Sequence, residues 1–210
     1  MKIAILTNTS DEIKQTSKLT VSNKYEYCER HNYALIVNNE PYDSANMDVM
    51  RKKASLLNIY DMVWALDSDA LITNMTIRVE ELSCLGPHMT VCPEGITKWS
   101  LLNCGSTIWK KTDKTFALLK KLHECIAEWK AMPCGWQSWL QVYQDHIGDA
   151  MTIAPLRSFN SCVWNMPGGG IGTPGSNWQH GDFVCHANGI FPYEPVRRQY
   201  LELISNMIVR

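Results

Sequence analysis

No apolar run in the 210 residues approaches the length of about 18 side chains that a membrane-crossing helix requires. CxxC pairs are also missing. Cys28, Cys84, Cys92, Cys104, Cys125, Cys134, Cys162 and Cys185 are scattered, whereas a zinc finger or ribbon needs ligands paired a few residues apart. Nor is there a surplus of charge: 20 basic and 21 acidic residues leave a net charge of −1. Lys and Arg form only short runs, such as Arg51-Lys52-Lys53 and Lys110-Lys111. A general nucleic-acid or membrane-surface binder would carry a basic face, so neither partner is expected, although two or three cations suffice for a small anion. The opening "MKIAILTNTS" has an apolar run too short for a signal peptide and no cleavage pattern after it. The expectation is a cytoplasmic chain with reduced thiols that act as small core hydrophobes. What is present, 45% hydrophobic and 20% charged residues, is an ordinary folded composition long enough for one domain.

Three β-rich apolar segments come early: "IAIL" (3–6), "YALIV" (33–37) and "DMVWAL" (61–66). Between them, Ser10-Asp11-Glu12 reads as a helix start, "NKYEYCERHN" (23–32) as its later part or a second helix, and 46–60 as another helix. Strand–helix units of this kind predict βαβ construction and a parallel sheet. Further on, 89–92, 105–110 and 151–154 read as strands, and 113–130 and 136–146 as helices. "MPGGGIGTPGS" (166–176) holds five glycines and two prolines and predicts a loop. From Pro195, the residues Val196, Tyr200, Ile204, Met207 and Ile208 keep helical spacing to the end, a pattern that a domain cut from a longer protein and a frayed natural end would both show.

The chemistry concentrates in "VWALDSDALITN" (63–74), where an apolar strand runs into Asp67-Ser68-Asp69. Open α/β sheets bind ligands beyond the carboxyl ends of their strands. Two carboxylates this close repel unless a cation or shared proton compensates. Paired hard oxygens suit Mg²⁺ or Mn²⁺, which complete their shells with phosphate oxygens. The plain alternative is a strand-end acid beside a helix cap. In "GDFVCHANGI" (181–190), His186 ends a short strand, and an imidazole suits Mn²⁺ as a third ligand. A solitary histidine is more often an ordinary core or surface residue.

"WALDSDALITN", "LNCGSTIW", "WQSWLQ" and "GDFVCHANG" follow one another in the order of the GT-A glycosyltransferases. They resemble most closely family 34, the galactosyl-, xylosyl- and mannosyltransferases. "NKYEYCERHNYAL" (23–35) is similar to that family's N-terminal helix and second strand. The compact size is similar to a small glycosyltransferase domain of large chlorovirus proteins that build capsid glycans, which would act in the host cytoplasm. The resemblance implies an α/β GT-A (Rossmann-like) domain over 1–210 with a central, mostly parallel sheet flanked by helices. Residues 1–75 would be its nucleotide-binding half and 76–210 its acceptor and sugar half. It also implies transfer of a hexose or deoxyhexose from a UDP-sugar to an oligosaccharide or glycoprotein acceptor, with retention of configuration.

By the same resemblance, Asp67, Asp69 and His186 hold Mn²⁺ (or Mg²⁺) on the donor diphosphate. Thr7 and Asn8 meet uridine, Ser68 the ribose, and Lys53 or Arg51 the phosphates. Asn103 and Gly105 line the sugar pocket, and Gln137 lies beside the anomeric carbon; Gln137, Asn103 and Asp69 are thus the implied catalytic set. Two departures stand out: Trp136 occupies a position where the family usually has an acid, and Cys104 replaces a common alanine. The loop 166–176 would lie near the donor, with Trp136, Trp139 and Trp178 near the site. Three alternatives stay open. One is an inverting enzyme with Glu94, Asp145 or Asp182 as base. Another is a haloacid-dehalogenase-type phosphatase with Asp67 as nucleophile. The third is a glycan-binding domain without turnover.

Overall fold

The computed structural model describes residues 1–9, 11–39, 42–93, 101–163, 177–188 and 194–210. The loop at 166–176 and Glu94 lie outside the described residues. Strands and helices alternate at first: β1 (Ile3–Asn8), α1 (Lys14–His31), β2 (Ala34–Asn38), α2 (Tyr42–Ile59) and β3 (Met62–Leu66). Then come β4 (Ala70–Ile72), β5 (Met89–Pro93), β6 (Leu102–Lys110), α3 (Asp113–Glu124), α4 (Ile126–Lys130), α5 (Trp136–Val142) and α6 (Gln144–Ile147). The chain closes with β7 (Met151–Ile153), β8 (Ser161–Cys162), β9 (Val184–His186) and α7 (Glu194–Ser205).

The main sheet has the order β2-β1-β3-β6-β5-β7. Only β6 runs against its neighbours β3 and β5, while the pairs β1–β2, β1–β3 and β5–β7 are parallel. This is the mostly parallel α/β sheet expected. The strand β3 reads as an unbroken apolar run because it is covered on both faces. Val63 joins Leu57, Trp109, Leu119 and Trp139 on one side, and Trp64 joins Ile5, Tyr27, Ile108 and Phe183 on the other. Among the described residues no helix is long and apolar enough to cross a membrane.

The expected helices need adjustment in three places, one of them the single helix expected over 136–146, which divides at Tyr143 into α5 and α6. The single helix predicted over 113–130 divides at Cys125 into α3 and α4. Thr112 caps the first piece, accepting from the Thr115 N–H. The C-terminal helix ends at Ser205 although the apolar spacing continues. Beyond it the backbone pairs with the turn after β4: Val209 N–H donates to Thr73 O and Met75 N–H to Val209 O.

A small second sheet, β4-β9-β8, joins strands that lie far apart in the chain. Helix α1 pins its first strand. Asn23 donates through Nδ2 to Ile72 O (2.9 Å) and accepts the Ile72 N–H on Oδ1 (2.8 Å), so one side chain acts as a strand edge for β4. Both atoms of Ile72 are buried polar groups whose loss of partner is costly. Asn23→Ala is therefore expected to destabilise the fold by about 2 kcal/mol or more. Urea denaturation checks this through a lower midpoint at unchanged slope.

Candidate metal and donor site

The turn that follows β3 is held from below. Asp67 N–H donates to Gly105 O on β6 (2.7 Å), and Ala70 N–H to Asp67 O (3.1 Å). From α1, Lys24 Nζ donates to the carbonyls of Asp67 and Ala70, each at 2.9 Å, and Thr20 Oγ1 donates to Ser68 O. Lys24 is fully buried. Burial lowers its ammonium to about 7, against the upward pull of Asp69 and Asp67. The backbone acceptors of the turn are thus engaged inward.

The antiparallel pairing of β4 with β9 then decides what Asp69 meets. Ala70 is registered with His186, and Ala187 N–H donates to Asp69 O at 3.0 Å. His186 Nε2 consequently lies 3.2 Å from Asp69 Oδ1 and 3.8 Å from Asp67 Oδ2. One ligand atom from each of the three residues lies within 4.8 Å of the others. Two carboxylate oxygens and an imidazole nitrogen are a donor set that fits a divalent cation such as Mn²⁺ or Mg²⁺.

The ring of His186 is oriented by a chain of hydrogen bonds that starts at the backbone. Gly105 N–H, which can only donate, meets Asn103 Oδ1 at 2.9 Å; the same oxygen accepts from Asn160 Nδ2 at 2.8 Å. That directs Asn160 Oδ1 to His186 Nδ1, 3.1 Å away. The proton therefore belongs on Nδ1, and the Nε2 lone pair faces the two carboxylates. Gly105 has a second function: a Cβ there would lie 2.0 Å from His186 Cε1. The glycine is required because the imidazole lies against it.

Charge in the site is balanced by neighbours. Burial by itself would raise the Asp69 carboxyl, but the His186 ring in its protonated form and the Arg197 guanidinium outweigh it and hold the carboxyl at about 2. Arg197 Nε is 3.6 Å from Asp69 Oδ2. It comes from α7, which α1 also fastens: Thr16 donates through its N–H (2.8 Å) and Oγ1 (2.9 Å) to Glu194 Oε1. The sequence carries no marker for Lys24, Thr20, Asn160 or Arg197, because each is an isolated polar residue whose partner is distant in the chain.

The remaining expected residues divide. Lys53 is buried, with its ammonium over the rings of Trp109 and Trp136, whereas Arg51 is exposed and donates to His123 on α3. Gln137 Oε1 accepts the Cys104 N–H at 2.8 Å, which ties α5 to the Asn103–Gly105 segment. Asn103 is buried, and so is Ser68, whose carbonyl is the one that Thr20 holds. Thr7 and Asn8 sit at the carboxyl end of β1. Among the described residues the buried Thr7 hydroxyl has no hydrogen-bond partner, and Asn8 Oδ1 accepts from Asn38 at 3.0 Å. Trp139 is core, and Trp178 donates to Thr73 Oγ1 beside β4. Asp182 is engaged elsewhere, by Arg157 (2.6 Å), Ser161 Oγ (2.7 Å) and Gln179 N–H (2.9 Å). Asp145 is exposed on α6.

Residues 2–90 match the galactosyl transferase GMA12/MNN10 family, glycosyltransferase family 34. No curated protein matches the chain. A glycosyltransferase involved in glycosylation of the major capsid of PBCV-1 superposes with a TM-score of 0.73 at 16% identity, covering 97% of this chain and 100% of its own. The galactosyltransferase LgtC, solved with donor and acceptor sugar analogs, gives 0.59 at 13% identity, with 97% and 96% covered. GlyE of Streptococcus pneumoniae gives 0.55 at 10% identity, with 98% and 62% covered. At these identities the likeness establishes the fold: the chain has the GT-A architecture of glycosyltransferases, with an acidic–histidine cluster suited to a cation.

Gly105→Ala is expected to displace His186 and weaken Mn²⁺ binding by about tenfold or more while secondary structure persists. Titration calorimetry with MnCl₂, alongside circular dichroism, checks both parts.

Proposed function

We propose that the chain is a metal-dependent glycosyltransferase that moves a hexose or deoxyhexose from a UDP-sugar to a glycan acceptor with retention of configuration. One observation carries this reading. Within a GT-A fold, Asp67 and Asp69 at the carboxyl end of β3 converge with His186, far along the chain, on a single cation-sized cluster. The family 34 match over residues 2–90 supports it, as does the likeness to LgtC, whose structure holds donor and acceptor sugar analogs.

Asp67, Asp69 and His186 would hold the Mn²⁺ or Mg²⁺. When bound, the cation supplies charge neutralisation on the diphosphate and the leaving UDP. The chain's own residues do the rest. Lys53 brings a second positive charge to the phosphate side. Arg197 keeps Asp69 ionised and ready to bind. Asn160 holds the proton of His186 on Nδ1, so that Nε2 stays a ligand. Thr7 and Asn8, at the end of β1, receive the uridine, and Ser68 the ribose. Gln137, tied to Cys104, and the Asn103–Gly105 segment form the sugar side, where Gln137 faces the anomeric carbon.

Retention rests on the resemblance to retaining GT-A enzymes. It also fits the state of Asp182, whose carboxylate is occupied by Arg157, Ser161 and Gln179 and is poorly placed to act as the base of an inverting enzyme.

Calorimetric titration of UDP tests the reading. Binding is expected with Mn²⁺ and should fall by about tenfold or more with EDTA or in Asp69→Ala. UDP that binds equally well without metal and in the variant would separate the nucleotide from these acids. No UDP binding under any of these conditions would end the proposal.

A further inference from the structure

Lys53 on α2 is 1% exposed, with its Nζ 4.2 Å from the centre of the Trp136 ring and 4.8 Å from that of Trp109. Among the described residues its ammonium makes no hydrogen bond and no ion pair. A buried group with three N–H donors and no acceptor is costly. Burial lowers its pKa to about 8 even though Cys104 and Asp67 pull the other way, so near neutrality it remains a cation. Aromatic faces are what hold it, through the attraction of a cation to the ring quadrupole. The two rings are 6.2 Å apart with their planes inclined by 39°, so they cover the ammonium from two directions.

Trp136 stands immediately before Gln137, whose Oε1 accepts the Cys104 N–H. A carboxylate at position 136 would pair with Lys53 and occupy its donors. An indole face supplies no such pair, and among the described residues no acceptor meets the ammonium.

We propose that Trp136, together with Trp109, is a positioning residue that holds the Lys53 ammonium ready to donate to an oxygen of the bound donor, either a diphosphate oxygen or a hydroxyl of the sugar. This rests on the glycosyltransferase reading and deepens it. The arrangement makes the site more cationic than an acid at 136 would, and it relies on desolvated cation–π contact in place of an ion pair.

The test compares Trp136→Leu and Trp136→Phe, each with Lys53 intact and with Lys53→Met, titrated with UDP, UDP-glucose and UDP-galactose in Mn²⁺. Trp136→Leu is expected to bind about tenfold more weakly, while Trp136→Phe, which keeps a ring face, stays within about threefold. The loss should vanish in the Lys53→Met background, where the contact no longer exists. A loss already seen with UDP assigns the oxygen to the diphosphate; a loss confined to the UDP-sugars assigns it to the sugar. The Lys53 ε-carbon resonance, followed by NMR against pH, should titrate at lower pH in Trp136→Leu. Should Trp136→Leu fail to fold, Trp136→Glu carries the test: weaker UDP-sugar binding and a higher Lys53 titration midpoint are expected. Unchanged affinity in the variants, or a loss that persists with Lys53→Met, overturns the proposal while leaving the glycosyltransferase reading intact. Absence of UDP binding by the unmutated protein defeats that reading and this inference with it.

Discussion

The hydrogen bonds from the buried ammonium of Lys24 to the carbonyls of Asp67 and Ala70 are what the rest of the site depends on. A turn between two sheets leaves backbone acceptors that neither sheet can pair, and burying them unsatisfied would be costly. Helix α1 resolves this with a face that is buried and yet polar: Thr16, Ser17, Thr20, Asn23 and Lys24. Lys24 and Thr20 take the carbonyls of the turn, Asn23 takes the edge of β4, and Thr16 receives Glu194 at the start of α7. One helix therefore sets the position of both carboxylates and, through α7, of the arginine that faces Asp69.

The opposite side of the cluster is positioned by β6. Gly105 accepts the Asp67 N–H on its carbonyl and gives its own N–H to Asn103, and its missing Cβ admits the His186 ring. The polar chain through Asn103 and Asn160 reaches that ring from behind. The acids and the imidazole thus meet because two separate networks, one from α1 and one from β6, converge on them. Lys53 completes the charge pattern from a third direction, held by aromatic faces where a carboxylate would have neutralised it.

Much of the first half of the fold was legible before any tertiary contact was known. The strands β1 and β3 announce themselves as apolar runs because each is buried in the sheet, the half-buried edge strand β2 is apolar as well, and their spacing leaves room for one helix between each pair. The acids after β3 were legible as a candidate site because an apolar strand that runs into two carboxylates one residue apart needs a compensating cation or proton. The partition of 113–130 into two helices was not, because Leu119, Leu122 and Ile126 keep the same apolar spacing across the break at Cys125. The C-terminal pattern misled in a similar way, since Met207 and Ile208 hold helical spacing although the helix has ended at Ser205, and Val209 pairs with the turn after β4.

By itself the sequence determined the βαβ order, the place of Asp67 and Asp69 at a strand end and the presence of an indole beside Gln137. These are local properties, set by apolar periodicity and by residue identity. Only the tertiary structure decided that His186 faces Asp69 and that Lys53, not Arg51, is buried beside Trp136. It also decided that Asn160 orients the imidazole and that α1 buries a polar face. Each of these depends on the register between segments that are distant in the chain. That register is settled by how the whole core packs and how its buried polar atoms find partners, and no single segment encodes it.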